Sequence, residues 1–193
     1  FKQKTAYEIG VRLVGSEMCI RDRSDTAPAM IALDAKMVIR SSKGERIVDA
    51  QDYFVGPGTD ITRLTALQPG ELLTAIRIPG TWAGAEFYTE KVADRKVWDF
   101  PLVNIASAMK VNGSTIERAR IVVNAVAAQP MRLEAVEQFV AGKPRNEETA
   151  NAAGELAVRG AVPLAHNAYK IPLMRNLVKR AIRGGDNGWA STS

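Results

Sequence analysis

The sequence is poor in the residues that hold metals and disulfides: 193 residues contain one cysteine, Cys19, and one histidine, His166. A disulfide framework, a zinc site and an iron–sulfur centre each need several such ligands, so any metal chemistry must come from another chain. No run approaches the roughly 18 to 20 uninterrupted apolar residues that span a bilayer, and the start lacks the charged-then-apolar layout of a secretion signal. A cytoplasmic location without membrane contact is therefore expected. Neither G-x-G-x-x-G nor G-x-x-x-x-G-K occurs, which leaves no recognisable phosphate-cradling loop. No Ser/His/Asp arrangement and no paired carboxylates stand out, so no catalytic residues are assigned. His166, on a polar segment, reads as a surface or helix-entry residue.

What is present is ordinary for a folded soluble chain, with 46% hydrophobic and 24% charged residues. The net charge of +5 raises nucleic acid as a partner. Position weakens that idea, because residues 1–23 carry five Lys/Arg against three Asp/Glu and much of the remaining excess sits on the last helical segment. Interleaved aromatics are also missing, so no nucleic-acid partner is expected. Residues 1–23 show no helical or strand period. They resemble translated sequencing-adapter read-through, the alternative being a flexible N-terminal arm.

From Ser24 the pattern changes. Ser24, Asp25 and Thr26 can cap a helix with Pro28 in its first turn and Met30, Ile31 and Leu33 inward. Two strands follow about the turn Ser41 to Gly44, and then a polar loop from Thr59 to Gln68. Leu72, Thr74, Ile76 and Ile78 fall on one face of a strand. Pro79, Gly80 and Gly84 mark a domain boundary between 24–80 and 85–184. The second part opens with a strand from Glu86 to Val92. Asn112-Gly113 then joins two more strands as a tight hairpin, giving a meander of at least three antiparallel strands. Three helices are expected next. One runs from Pro130 to Ala141 with Leu133, Val136 and Val140 inward; one is capped by Asn146 and stops at Gly160; one starts at Pro172 with Leu173, Leu177, Val178, Ala181 and Ile182 inward. On the last helix Arg175, Lys179, Arg180 and Arg183 face water or a partner. Residues 185–193 read as a flexible tail.

The most informative stretch is KVADRKVWDFPLVNIASA, Lys91 to Ala108, which sets cations, aspartates and two aromatic rings between strands. With GELLTAIRIP, Gly70 to Pro79, and the three helical segments, it resembles the FAD-binding medium subunit of the molybdenum hydroxylases, the xanthine dehydrogenase and carbon monoxide dehydrogenase flavoproteins. The resemblance runs from about Ser24 to Gly184. It implies an α+β fold: the end of a PCMH-type FAD-binding domain, then a C-terminal domain with a three- to four-stranded antiparallel sheet packed against three helices. It also implies that the turns gripping the FAD pyrophosphate lie N-terminal to Ser24 and are missing from this chain.

Six residues match cofactor-contacting positions of that family. Asp25 matches an aspartate that bonds the dinucleotide, or else only caps a helix. Leu73 matches a leucine against the isoalloxazine ring, and can be a core residue as well. Lys91 matches a lysine near the reactive edge of the flavin, where a cation stabilises charge on the reduced ring; an exposed strand lysine is the plainer reading. Asp99 and Phe100 match an acidic residue and a ring-covering side chain, with Trp98 competing for the covering role, although both rings can equally be core. Asp94 and Arg95 can simply pair with each other. The resemblance implies molybdopterin and 2Fe-2S clusters on a large and a small partner subunit, with electrons reaching FAD and then NAD or another acceptor. The rival expectation is a non-catalytic assembly module without cofactor.

Overall fold

Two short strands closed by a glycine turn form the first hairpin along the chain. β1 (Lys36–Ser41) and β2 (Gly44–Asp49) are joined through Gly44, whose φ of +129° a side chain would resist. β3 (Leu72–Arg77) pairs with the free edge of β1, giving a three-stranded antiparallel sheet in the order β2-β1-β3. The structure is a computed structural model and describes residues 24–56, 58–60, 62–95 and 99–184. The expectations for residues 1–23, for Trp98 and for the tail 185–193 lie outside the described residues.

α1 (Ala27–Ala32) carries Pro28 in its first turn and buries Ala27, Ile31 and Ala32. The four-residue α2 (Ala50–Tyr53) follows β2 directly. After β3, a 3₁₀ turn (Gly80–Trp82) leads into a second sheet of β4 (Glu86–Val92), β5 (Val103–Asn112), β6 (Thr115–Asn124) and β7 (Met131–Arg132), paired antiparallel in that order. The β5–β6 turn uses Gly113 at φ +59°, as the Asn-Gly pair demands.

The central strands of this second sheet are buried on both faces, and the composition of β5 shows how. Val103, Ile105 and Met109 point to the side covered by α3 (Glu134–Val140), α4 (Glu147–Ala157) and α5 (Lys170–Arg183), packing with Ile121, Val136, Leu177 and Ile182. On the opposite face small residues allow close approach. Ala106, with Val122 of β6, joins Ile31 of α1, Met37 and Ile39 of β1 and Tyr53 of α2 in a second cluster. Each large aliphatic side chain so buried contributes roughly 1.5–3 kcal/mol. The segments before and after the Pro79–Gly84 punctuation thus share a core.

Four local expectations change. Met131 and Arg132 form β7 instead of a first helical turn, because Arg132 pairs with Val122 and Met131 with Val123, and the helix starts at Glu134. The last helix begins at Lys170, which places Pro172 third, where its missing N–H costs nothing. In β3 the pairing shifts between Val38 and Ile39, so alternation breaks. Leu73 opposes Ile39 and packs inward, whereas Leu72 is 71% exposed. Four cations of α5 face water but also pair within the fold, with three carboxylates: Arg175 with Glu155, Lys179 and Arg183 with Glu147, and Arg180 with Glu90. As expected, Asn146 caps α4, its side chain accepting from the Thr149 N–H at 2.9 Å.

α4 and α5 meet at Gly154. A Cβ there would lie 2.8 Å from Lys179 Cγ and 2.9 Å from the Arg175 carbonyl oxygen. Gly154→Ala improves intrinsic helix propensity by about 1 kcal/mol, yet the two helices must part to admit the methyl group. A net loss of about 1–3 kcal/mol is expected by urea unfolding; a gain would mean that the helix contact is loose.

Candidate functional site

Lys91 lies on the edge strand β4, held in register opposite Asn104 of β5, which in turn opposes Asn124 of β6. Residues opposite one another share a face, so the three form one polar row across the sheet. The N-terminal end of α1 comes down onto this row. Asn104 Nδ2 and Asn124 Nδ2 both donate to the Ser24 carbonyl, at 3.5 and 3.0 Å, and the next residue, Asp25, pairs through Oδ2 with Lys91 Nζ at 2.6 Å. Two residues 66 positions apart, each singled out from the sequence, are therefore in direct contact.

Behind them α1 is clasped to the sheet. Asp34, at φ +58°, accepts from the Trp82 indole N–H at 3.0 Å and pairs with Arg120 of β6. Arg118 covers the buried Trp82 ring at 4.4 Å from its centroid, a cation–π contact. Burial pushes the Arg120 pKa down from its ordinary value, so Asp34 offsets a cost that its removal would expose.

Beyond β4 the chain turns on Asp99. Its Oδ2 accepts from Arg95 Nε at 3.2 Å and its Oδ1 from the Phe100 backbone N–H at 2.9 Å. The Arg95 hydrogen bond holds the Asp99 carboxyl below its usual range. The hydrogen-bonded partner of Arg95 is thus Asp99, four positions on, and not its neighbour Asp94. Phe100 follows with 64% of its surface exposed, which rules out the ordinary-core reading for that ring. Leu73 sits on the other sheet, partly buried against the cluster of Ile31, Met37 and Ile39.

The arrangement offers a cation held by a carboxylate, an exposed aromatic ring and an ionised aspartate on one turn. It has no nucleophile with a base, and no group of metal-ligating side chains among the described residues. His166 is exposed. Several residues here escape sequence reasoning. Asn104 and Asn124 read as strand polars, and only the register aligns them. Glu71, in the GELL motif, is structural: it accepts from Arg46 Nε and Nη2 at 2.8 and 2.7 Å and from the Gln68 N–H at 2.8 Å, fixing the start of β3 against β2. Those bonds lower the Glu71 pKa from 4.5 to about 2, with Arg46 the larger cause.

With this geometry in place, comparison with known proteins gives consistent matches. Residues 88–184 match the CO dehydrogenase flavoprotein C-terminal domain, and residues 13–81 the FAD binding domain in molybdopterin dehydrogenase. The aldehyde oxidoreductase FAD-binding subunit PaoB of Escherichia coli K12 is 33% identical over 83% of this chain and 48% of its own length. The carbon monoxide dehydrogenase medium chain of Hydrogenophaga pseudoflava is 29% identical over 92% of this chain and 60% of its own. Among solved structures, carbon monoxide dehydrogenase from H. pseudoflava aligns with a TM-score of 0.74 at 30% identity, over 87% of this chain and 58% of that one. Quinoline 2-oxidoreductase from Pseudomonas putida 86 aligns with a TM-score of 0.72 at 28% identity, over 88% and 58%. The chain spans about half the length of the curated relatives it matches. No helix among the described residues is long and apolar enough to cross a membrane.

Two outcomes follow for the frame of the site. The Glu71 carboxylate has its pKa depressed by folding, so its contribution is full above pH 4.5 and is lost as pH falls towards 2. Glu71→Gln should flatten that part of the stability-versus-pH curve; an unchanged slope would show that the Arg46 pairing is not maintained in solution. Ala125, directly after Asn124, holds φ +65°. Ala125→Gly relieves that strain and should raise stability by about 1 kcal/mol in thermal unfolding, a loss indicating that the conformation is not strained.

Proposed function

The chain belongs to the FAD-binding medium-subunit family of the molybdenum hydroxylases, and from that premise we propose that it supplies the ring-side wall of a flavin site in an electron-transfer subunit. The observation that carries this is the Asp25–Lys91 contact, which joins the entry of α1 to the edge strand β4. A bound FAD would bring two-electron redox chemistry that no side chain of this protein offers. Residues 24–80 would be the end of the FAD-binding domain and residues 85–184 the C-terminal domain.

The side chains present fit such a group. Lys91 would offer an ammonium to negative charge on a reduced ring, and Asp25 holds that ammonium at 2.6 Å. Phe100 exposes an aromatic ring that would stack on an isoalloxazine and exclude water from it. Asp99 holds the Phe100 backbone and stays ionised beside Arg95. Leu73 would approach the ring from the first sheet, and Trp98 is the alternative to Phe100 for covering it. The pyrophosphate grip would come from the part of the relatives' length that this chain does not span. Electrons would arrive from iron–sulfur clusters of a small subunit, after substrate oxidation at molybdopterin on a large subunit, and leave to NAD or another acceptor in the cytoplasm.

The test is flavin binding. The 193-residue chain is expected to purify nearly colourless, and the complete gene product to carry about one FAD; stoichiometric FAD on the 193 residues alone would overturn the division of the site. In the complete product, Lys91→Ala should slow flavin reduction or reoxidation about tenfold, roughly 1.4 kcal/mol of charge stabilisation. Unchanged rates would reduce Lys91 to scaffolding.

A further inference from the structure

Two buried asparagines carry more cost than a core requires. Asn104 is 4% exposed and Asn124 0%. Their Nδ2 groups converge on one acceptor, the Ser24 carbonyl, which turns both Oδ1 atoms away, and neither Oδ1 has a partner among the described residues. An unpaired buried acceptor costs about 1–3 kcal/mol. Leucine, of the same branched shape though bulkier, would avoid that polar cost at either position. Immediately after Asn124 the chain takes the left-handed Ala125, whose carbonyl accepts from the buried Lys170 Nζ at 2.8 Å. Orphaned acceptors, a strained alanine and a buried lysine thus accumulate where β5 and β6 meet Ser24. Such local costs gather where the backbone must hold a functional geometry.

What they hold is specific. Ser24 is fixed twice: its carbonyl by the two asparagines, and its hydroxyl by the Ala27 N–H at 3.2 Å. One residue on, Asp25 reaches Lys91, which lies in the same cross-strand row as the asparagines. The sheet therefore fixes Lys91 by its backbone at one end and, through Asn104, Asn124, Ser24 and Asp25, by its ammonium at the other. We propose that Asn104 and Asn124 are positioning residues that aim the Asp25–Lys91 pair at the flavin, an inference that rests on the flavin reading above. A cation held in place stabilises charge on the ring without first having to reorient, and this is the part of an electrostatic effect that a mobile side chain loses.

The test uses Asn104→Leu and Asn124→Leu. In the flavin-free chain each should leave global stability level or higher while raising hydrogen exchange at the Ala27 amide at least tenfold; unchanged exchange overturns the anchoring. In the FAD-loaded complete gene product each should reduce the preference for the reduced ring about tenfold, a fall of about 30 mV in a two-electron midpoint potential, with FAD still bound. In a Lys91→Ala background the same substitutions should shift the potential no further. A potential that neither asparagine moves, or that both move equally with and without Lys91, overturns the proposal while leaving the flavin reading intact. Failure of the unmutated complete product to bind FAD overturns both. Should Asn124→Leu not fold, Asn104→Leu carries the same test through its longer bond.

Discussion

Two central strands, β5 and β6, covered on both faces along much of their length constrain everything else in this protein. Polar side chains buried there cannot reach water, so they depend on partners inside. On the helical side the solution is apolar: Val103, Ile105, Met109, Ile121 and Val123 meet the faces of α3, α4 and α5. Glu137 is the exception, and it is satisfied by the Ile121 N–H at 3.0 Å and by Arg132. On the α1 side the solution is mixed. Ala106 and Val122 take the helix, Arg120 takes Asp34, and Asn104 and Asn124 take the Ser24 carbonyl.

That asymmetry gives each face a role. The helical face stores stability in dense aliphatic packing. The α1 face uses its polar contacts to fix a short helix of six residues, which has little intrinsic persistence of its own. Because α1 is pinned at both ends, by Asp34 with Arg120 and Trp82 and by Ser24 with the asparagines, Asp25 meets Lys91 at a defined place. The exposed surface of that pair would make it worth little as a stabilising salt bridge. What the pair does is join the entry of α1 to the edge strand β4.

The electrostatics of the remaining surface are local. The basic residues of α5, which in sequence suggest an interaction face, are matched to Glu147, Glu155 and Glu90. The overall positive charge therefore leaves no organised cationic stripe on this helix, and the case for nucleic acid weakens further.

Strand periodicity, the Asn-Gly hairpin, the Asn146 cap and the apolar stripes of the last three helices were legible because each is a short-range rule that the chain obeys locally. The GELL and Lys91–Phe100 stretches carried the family for the same reason: both are contiguous. Boundaries that depend on pairing were not legible. Met131 and Arg132 look helical until β6 offers them a partner, and the bulge in β3 turns Leu72 outward against its apparent alternation. Sequence alone thus determined most of the elements, the fold class and the family. Only the tertiary structure decided that Asp25 touches Lys91, that Arg95 chooses Asp99 over Asp94, and that Asn104 and Asn124 stand in one row with Lys91. Cross-strand register and the seating of α1 bring distant residues together, and no spacing along the chain encodes that.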